Sequence, residues 1–262
     1  MFPKLIEAGK FYLPTYGVLV ATAFLLAIWV TVKLGKRAGL RPDLITNLAV
    51  YCALAGMLGA KLLMFVFDWQ MYASDPSQIF TFSTLQAAGV YQGGLLLALA
   101  TAIVYMHRMG MPKLVTCDVF APGLALGHAI GRLGCFAAGC CWGQRCERPW
   151  AITFNDPDAY ELTGVPLGIP LHPTQLYESG AELAIFALLY HWIAHPHKPG
   201  AIFGLYLVLY SISRFAVEFL RHHDQALPFG GPWSLTQWIS LVTLAIGLWL
   251  FAILRHSPRW LK

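Results

Sequence analysis

Apolar residues in this chain run in long blocks, separated by short clusters of Lys, Arg, Pro and Gly. Each block approaches the roughly 20 residues that a helix needs to cross a bilayer. The pattern predicts seven spans, at Tyr12–Val32, Leu44–Phe67, Thr84–His107, Cys117–Ala138, Leu176–Ile193, Ala201–Leu220 and Leu235–Leu254. The expected fold class is an all-α integral membrane protein with seven transmembrane helices, one domain over residues 1–262. Residues 142–174 form its longest extramembrane piece, between spans four and five, and "WAITF" within it reads as a short strand. Composition agrees: 57% of residues are hydrophobic and 12% charged, with a mean hydropathy of +0.58. A soluble domain carries about a quarter charged residues.

The basic residues then orient the chain. Lys33, Lys36, Arg37 and Arg41 follow span one, Arg108 and Lys113 follow span three, Lys198 follows span five, and Arg255, Arg259 and Lys262 follow span seven. The opposite ends carry Lys4, Lys10, Arg145, Arg148 and Arg221, with Asp68 and Asp75 in the loop after span two. The inside-positive rule places the N-terminus outside and the C-terminus in the cytoplasm. Span one reads as a retained helix, because no basic region immediately precedes it and no small-residue cleavage site is evident. The net charge of +5 fits topology and contact with anionic lipid. No zinc-finger spacing, basic helix or aromatic-basic strand points to nucleic acid.

Charges inside the apolar blocks carry the functional signal, since each costs several kcal/mol (about 3 on insertion scales) unless paired or solvated. Arg132 sits in "GHAIGRLGCFAAGCCWG", with His128 four residues before it and Cys135 one turn after. Arg214 lies in span six, four residues before Glu218, with Arg221 a turn further. Pro173 bars a regular helix through His172, so a helix is expected to start near Thr174. Gln175, Glu178 and Glu182 then recur down one side. Glu178, beside Tyr177, is expected to face the bundle; Glu182 also fits a snorkelling residue at the membrane boundary. Internal pairing with Glu218 accounts for Arg214 or Arg221 but leaves Arg132 without a carboxylate, as its own span offers only Asp118 near the start.

Two guanidiniums facing one cavity call for an anion, and phosphate matches their fork geometry. The headgroup of an anionic phospholipid from the outer leaflet would supply it. Lys61 either neutralises a carboxylate or joins that anion site. "QGG", Gln92 with Gly93 and Gly94, marks either close helix packing or a ligand against exposed backbone.

Six cysteines are present. Cys52 and Cys117 read as small core residues. Cys135, Cys140, Cys141 and Cys146 fall near the outer face, where Cys140 or Cys141 paired to Cys146 would fix a loop. Alternatively Cys135 or Cys140 acts as a nucleophile or acceptor, its pKa lowered by Arg132. No metal is assigned, because the spacing lacks clean C-x₂-C pairs, although His172 or His128 offers a nitrogen. No cofactor is expected. For a general base, His128 shares the Arg132 face and His172 lies at the external mouth. His222 and His223 read as surface residues, and His191, His195 and His197 as cytoplasmic.

"GRLG" with the later "WG" (131–134, 142–143), "HPTQLYE" (172–178) and "SRFAVEFLR" (213–221) resemble the bacterial prolipoprotein diacylglyceryl transferase family. "QGGL" (92–95) and "SLTQWIS" (234–240) are weaker echoes in the same order. The resemblance implies a bacterial inner-membrane enzyme that moves the diacylglyceryl group of phosphatidylglycerol to a prolipoprotein lipobox cysteine and releases glycerol 1-phosphate. It implies that Arg132 and Arg214 are essential, with Glu218 and Arg221 as supporting charges. Tyr177 and Glu178 match family positions in the helix after the loop. The family pattern has histidine at Gln92, asparagine at Cys135 and glutamate at or beside Cys140. The arginine framework is kept while polar groups expected around an acceptor thiol have changed. Two further readings follow: a related membrane enzyme acting on another lipid or acceptor with cysteine participation, or a non-catalytic lipid-binding protein.

Overall fold

A computed structural model describes residues 3–8, 11–81, 84, 89–222 and 231–254. Helices dominate, with two small antiparallel strand pairs. Strands β1 (Lys4–Ala8) and β2 (Phe11–Pro14) form a hairpin that leads into α1 (Thr15–Arg37). The chain continues through α2 (Pro42–Phe67), α3 (Trp69–Ser74), a 3₁₀ turn (Pro76–Phe80), α4 (Tyr91–Arg108) and α5 (Lys113–Ala138). Then come β3 (Ile152–Thr153), α6 (Pro157–Thr163), β4 (Pro170–Leu171), α7 (Thr174–Trp192), α8 (Ala201–Glu218) and α9 (Leu235–Leu254).

Five helices among the described residues are long and apolar enough to cross a membrane: Thr15–Arg37, Pro42–Phe67, Lys113–Ala138, Ala201–Glu218 and Leu235–Ala252. Helices α4 and α7, of 18 and 19 residues, fall outside that group. Gln92, His107 and Arg108 dilute the first; Gln175, Glu178 and Glu182 dilute the second.

Two expected span starts shift toward the C-terminus, whereas the helices of spans two, four and five start ahead of the expected span limits, at Pro42, Lys113 and Thr174. Tyr12 belongs to β2, because Phe11–Pro14 pairs with Lys4–Ala8, so the first long helix begins at Thr15. That hairpin and the β3/β4 pair also qualify the all-helical expectation. The third begins at Tyr91 and not at Thr84, since Gly89 has φ +76° and the Val90 N–H donates to the Ala60 carbonyl at 2.9 Å. His223, Lys10, Arg255, Arg259 and Lys262 lie outside the described residues.

The chain divides into two compact units, Gly35–Thr116 and Met1–Leu34 with Cys117–Lys262. In the first, α2 and α4 meet backbone to backbone. A Cβ on Gly93 would strike the Gly59 carbonyl, and one on Gly94 would lie 2.8 Å from the Gly56 carbonyl. Small residues at such a crossing gain dispersion contact that lipid tails do not supply. Gly93 and Gly94 therefore have a packing role. Gln92 is exposed in the first turn of α4, and Lys61 Nζ donates to the Thr84 backbone carbonyl.

In the second unit, Ala121 and Ala125 of α5, Ile185 and Leu189 of α7, and Ile202 and Leu205 of α8 form the core. Buried Asp118 accepts the Gly200 N–H at 2.6 Å and the Phe203 N–H at 2.7 Å. It thereby satisfies donors that α8 leaves open at its start. Gly204 of α8 and Gly247 of α9 let those helices approach closely; a Cβ on Gly247 would lie 2.9 Å from Val208 N. A separate small core of Phe154, Ala159, Val165 and Leu171 holds the segment between α5 and α7. Within it α6 is capped by Asp156 and closed by Gly164 in the left-handed region.

Candidate active site

Residues 142–146 fasten three chain ends together. The Gly143 N–H donates to the His172 carbonyl at 3.0 Å and the Gln144 N–H to the Leu220 carbonyl at 2.8 Å. His172 N–H returns to the Gln144 carbonyl at 2.9 Å. A Cβ on Gly143 would lie 2.6 Å from both the His172 Cβ and the Leu220 carbonyl, so only glycine fits. This short strand joins the segment after α5, the entry to α7 and the exit of α8. Those three helices carry the charged side chains.

Glu178, 2% exposed, stands at the centre. Its Oε2 pairs with Arg132 Nη2 at 2.7 Å. Its Oε1 faces Arg221 Nη1 at 3.4 Å and Arg214 Nη1 at 3.6 Å. Arg214 Nη1 also pairs with Glu218 Oε2 at 2.6 Å, and Ser234 Oγ donates to Glu218 Oε1 at 2.8 Å. The Arg132 Nε–H donates to His128 Nε2 at 3.0 Å. That bond makes Nε2 an acceptor, so the remaining ring proton is assigned to Nδ1, which lies 3.4 Å from Glu182 Oε1. Both nitrogens of His128 are engaged.

Two expectations are corrected here. Arg132 has a carboxylate partner, supplied across the helix interface by Glu178. Glu182 is 2% exposed and faces His128, so it is not a snorkelling boundary residue. Three guanidiniums and two carboxylates, Glu178 and Glu218, thus form one network of opposed buried charges, and Glu182 joins it through His128. Each arginine retains further N–H groups for an anion, in the planar geometry that suits phosphate oxygens.

His172 sits apart from this network in its described contacts. Trp150 Nε1–H donates to the Tyr177 hydroxyl at 2.8 Å, and that hydroxyl lies 3.1 Å from His172 Nδ1. Because indole can only donate, the Tyr177 hydroxyl is the acceptor in the bond to Trp150. The chain Trp150–Tyr177–His172 braces the entry to α7. An apolar cleft of about 410 Å³ lies between α8 and α9, lined by Phe215, Phe219, Leu241 and Leu244.

All six cysteines are free thiols, so the expected pairing to Cys146 is not formed. Cys146 is buried beside β4, its N–H donating to the Pro170 carbonyl at 2.9 Å. The sulfurs of Cys135, Cys140 and Cys141 instead lie within 4.8 Å of one another. Helix termination explains the grouping. Gly139, at φ +82°, closes α5 with a Cys140 N–H to Cys135 carbonyl bond of 3.1 Å and a Gly139 N–H to Phe136 carbonyl bond of 3.2 Å. That pairing is a Schellman motif, which folds its last residue back over the helix's final turn. Cys141, at φ +61°, then brings in the third sulfur. Thiol hydrogen bonds from Cys135 and Cys140 hold the Cys141 pKa below the ordinary value, helped by Arg221 and Arg132, while those linking Cys140 to Cys135 and Cys141 raise that of Cys140. Spacing offered Cys141 only as a disulfide partner for Cys146; the glycine after an apolar helix was the signal for the turn that brings it to Cys135 and Cys140.

The fold and this site define a helical membrane protein that concentrates paired arginines and carboxylates at the ends of three helices. The prolipoprotein diacylglyceryl transferase family model matches residues 3–253, and the chain belongs to that family. It is 32% identical over 260 residues to the phosphatidylglycerol–prolipoprotein diacylglyceryl transferase of Clostridium tetani, covering 99% of this chain and 100% of that one. The proteins of that name from Synechococcus elongatus and Bacillus anthracis are each 32% identical, over 98% and 96% of this chain and 90% and 91% of theirs.

Proposed function

We propose that this chain is a membrane transferase that moves the diacylglyceryl group of phosphatidylglycerol to the lipobox cysteine of a prolipoprotein. The convergence of Arg132, Arg214 and Arg221 on buried Glu178 carries the reading. In the reaction the acceptor sulfur attacks a glycerol carbon, the carbon–oxygen bond to phosphate breaks, and glycerol 1-phosphate leaves with the electron pair. Negative charge grows on the leaving phosphate, and fixed guanidiniums stabilise it without reorganising. Glu178 and Glu218 hold those forks in place. Arg132 and Arg214 act on the phosphate, with Arg221 and His128 supporting them. Tyr177 and His172 keep the entry to α7 in position.

The apolar cleft beside α8 suits an acyl chain. Helices α4 and α7 join the five apolar ones to make seven spans in the bacterial inner membrane. The distribution of Lys and Arg supports an external N-terminus, a cytoplasmic C-terminus and a site opening to the outer leaflet.

Mass spectrometry of the purified protein with phosphatidylglycerol and a lipobox peptide tests this. Glycerol phosphate released only with the peptide, together with a diacylglyceryl adduct on its thiol, is the expected result. Folded protein that binds the lipid yet modifies no peptide would overturn it.

A further inference from the structure

We propose that Cys135, Cys140 and Cys141 form a zinc(II) site whose fourth position takes the acceptor thiol and presents it as a thiolate to the glycerol carbon. The inference rests on the transferase reading above, but its metal half stands on geometry alone.

Three sulfurs within 4.8 Å of one another are close to the spacing zinc requires. Zinc–thiolate bonds of about 2.3 Å place tetrahedral sulfurs about 3.8 Å apart. The turn that gathers them is built and pinned. Gln175 Nε2 donates to the Cys140 carbonyl at 2.7 Å, and Thr174 Oγ1 to the Cys141 carbonyl at 2.8 Å. Both donors are fully buried at the start of α7. Cys141 is the sole non-glycine residue at positive φ among the described residues. Such a conformation persists where the surroundings impose it, and it clusters at ligand sites.

Ligand count decides what the site does. Among the described residues no histidine or carboxylate joins the three sulfurs. Closed structural zinc sites use four protein ligands, whereas catalytic ones use three and leave a position open. Copper(I) would be satisfied by the three thiolates. Zinc with three thiolates carries a formal charge of −1, and −2 once a fourth thiolate binds. Arg132, three residues before Cys135 on α5, offsets part of that excess.

The reaction needs a thiolate. A free thiol has a pKa of about 8.5; His128 is engaged by Arg132 and Glu182, and His172 through Nδ1 by Tyr177. A zinc-bound thiol is deprotonated on coordination. Its proton passes to water, the zinc-bound sulfur forms the new sulfur–carbon bond, and the carbon–oxygen bond breaks toward phosphate. The product is a neutral thioether, a poorer ligand that leaves the metal.

The test begins with reduced, chelator-stripped protein in detergent, titrated with zinc(II) against a chromogenic chelator. About one equivalent should bind per chain. Cys135→Ser, Cys140→Ser and Cys141→Ser should each weaken binding by about tenfold or more, while Cys52→Ser and Cys146→Ser leave it unchanged. Cobalt(II) in place of zinc should give thiolate charge-transfer bands that shift with a lipobox peptide and not with its serine analogue. The stripped wild-type protein, which needs no substitution, should lose turnover and regain it with zinc. Absence of stoichiometric zinc, undiminished binding in the three variants, or full turnover after stripping overturns the proposal. The last result leaves the transferase reading intact. Zinc bound and the cobalt spectrum responding, with no turnover in any form, supports the thiol-binding site and overturns the transferase reading instead.

Discussion

Arg132 on α5 and Glu178 on α7 meet at 2.7 Å across a helix interface, and the same carboxylate faces Arg214 and Arg221 through its other oxygen. Glu178→Gln therefore removes the charge that three guanidiniums share. Breaking a buried pair costs about 3–5 kcal/mol, so thermal unfolding in detergent should show a large loss. Glycerol phosphate release should fall with it. Arg214→Lys keeps the charge and loses the fork, so it should spare stability more than turnover. Equal stability of wild type and Glu178→Gln would remove the network from the account.

Gly143 and Gly131 make opposite predictions. Gly143→Ala drives a Cβ to 2.6 Å from the His172 Cβ and the Leu220 carbonyl, at a cost of about 1–3 kcal/mol. Gly131→Ala meets nothing within 4 Å inside a helix, where alanine is favoured by about 1 kcal/mol. Unfolding of the two variants side by side checks the strand that ties the helix ends together.

Asp118→Ala deletes the acceptor for the Gly200 and Phe203 N–H groups. Leaving buried donors without a partner costs about 1–3 kcal/mol. Hydrogen exchange should show the first turn of α8 opening more readily. Unchanged protection at Gly200 and Phe203 would contradict the capping role.

Gly93→Ala tests the α2/α4 crossing, where the new methyl would run into the Gly59 carbonyl. Limited proteolysis should become faster within residues 35–116, while glycine-free positions on the exposed side of α4, such as Leu99→Ala, change little. Resistance equal to wild type would return Gly93 to a ligand-contact role.

The arginine network was readable because charge in an apolar block is costly and must be answered. The arginine–glutamate spacing in "SRFAVEFLR" and the periodic acids after "HPTQ" named its members before their contacts were known. The partner of Arg132 was not readable, because span four holds no answering acid and the pairing crosses helices. Glu182 misled for a related reason: its depth depends on packing against His128, which hydropathy does not encode. The N-terminal hairpin escaped because strand pairing joins residues by register and not by composition. Cysteine spacing suggested a disulfide, whereas a left-handed glycine and the strained Cys141 redirected the sulfurs toward one another. Gly93 and Gly94 carried two meanings that only the approach of α2 could separate.

The formal charges of the three guanidiniums and the three carboxylates Glu178, Glu182 and Glu218 sum to zero. A membrane potential does work only on net charge, about 2.3 kcal/mol per elementary charge per 100 mV. Shifting this cluster as a rigid unit therefore costs nothing against a uniform field. The lipid phosphate arrives as the uncompensated charge, so voltage acts on the substrate's entry and the product's exit. An energised membrane and a collapsed one present the same arginine–carboxylate network to the lipid.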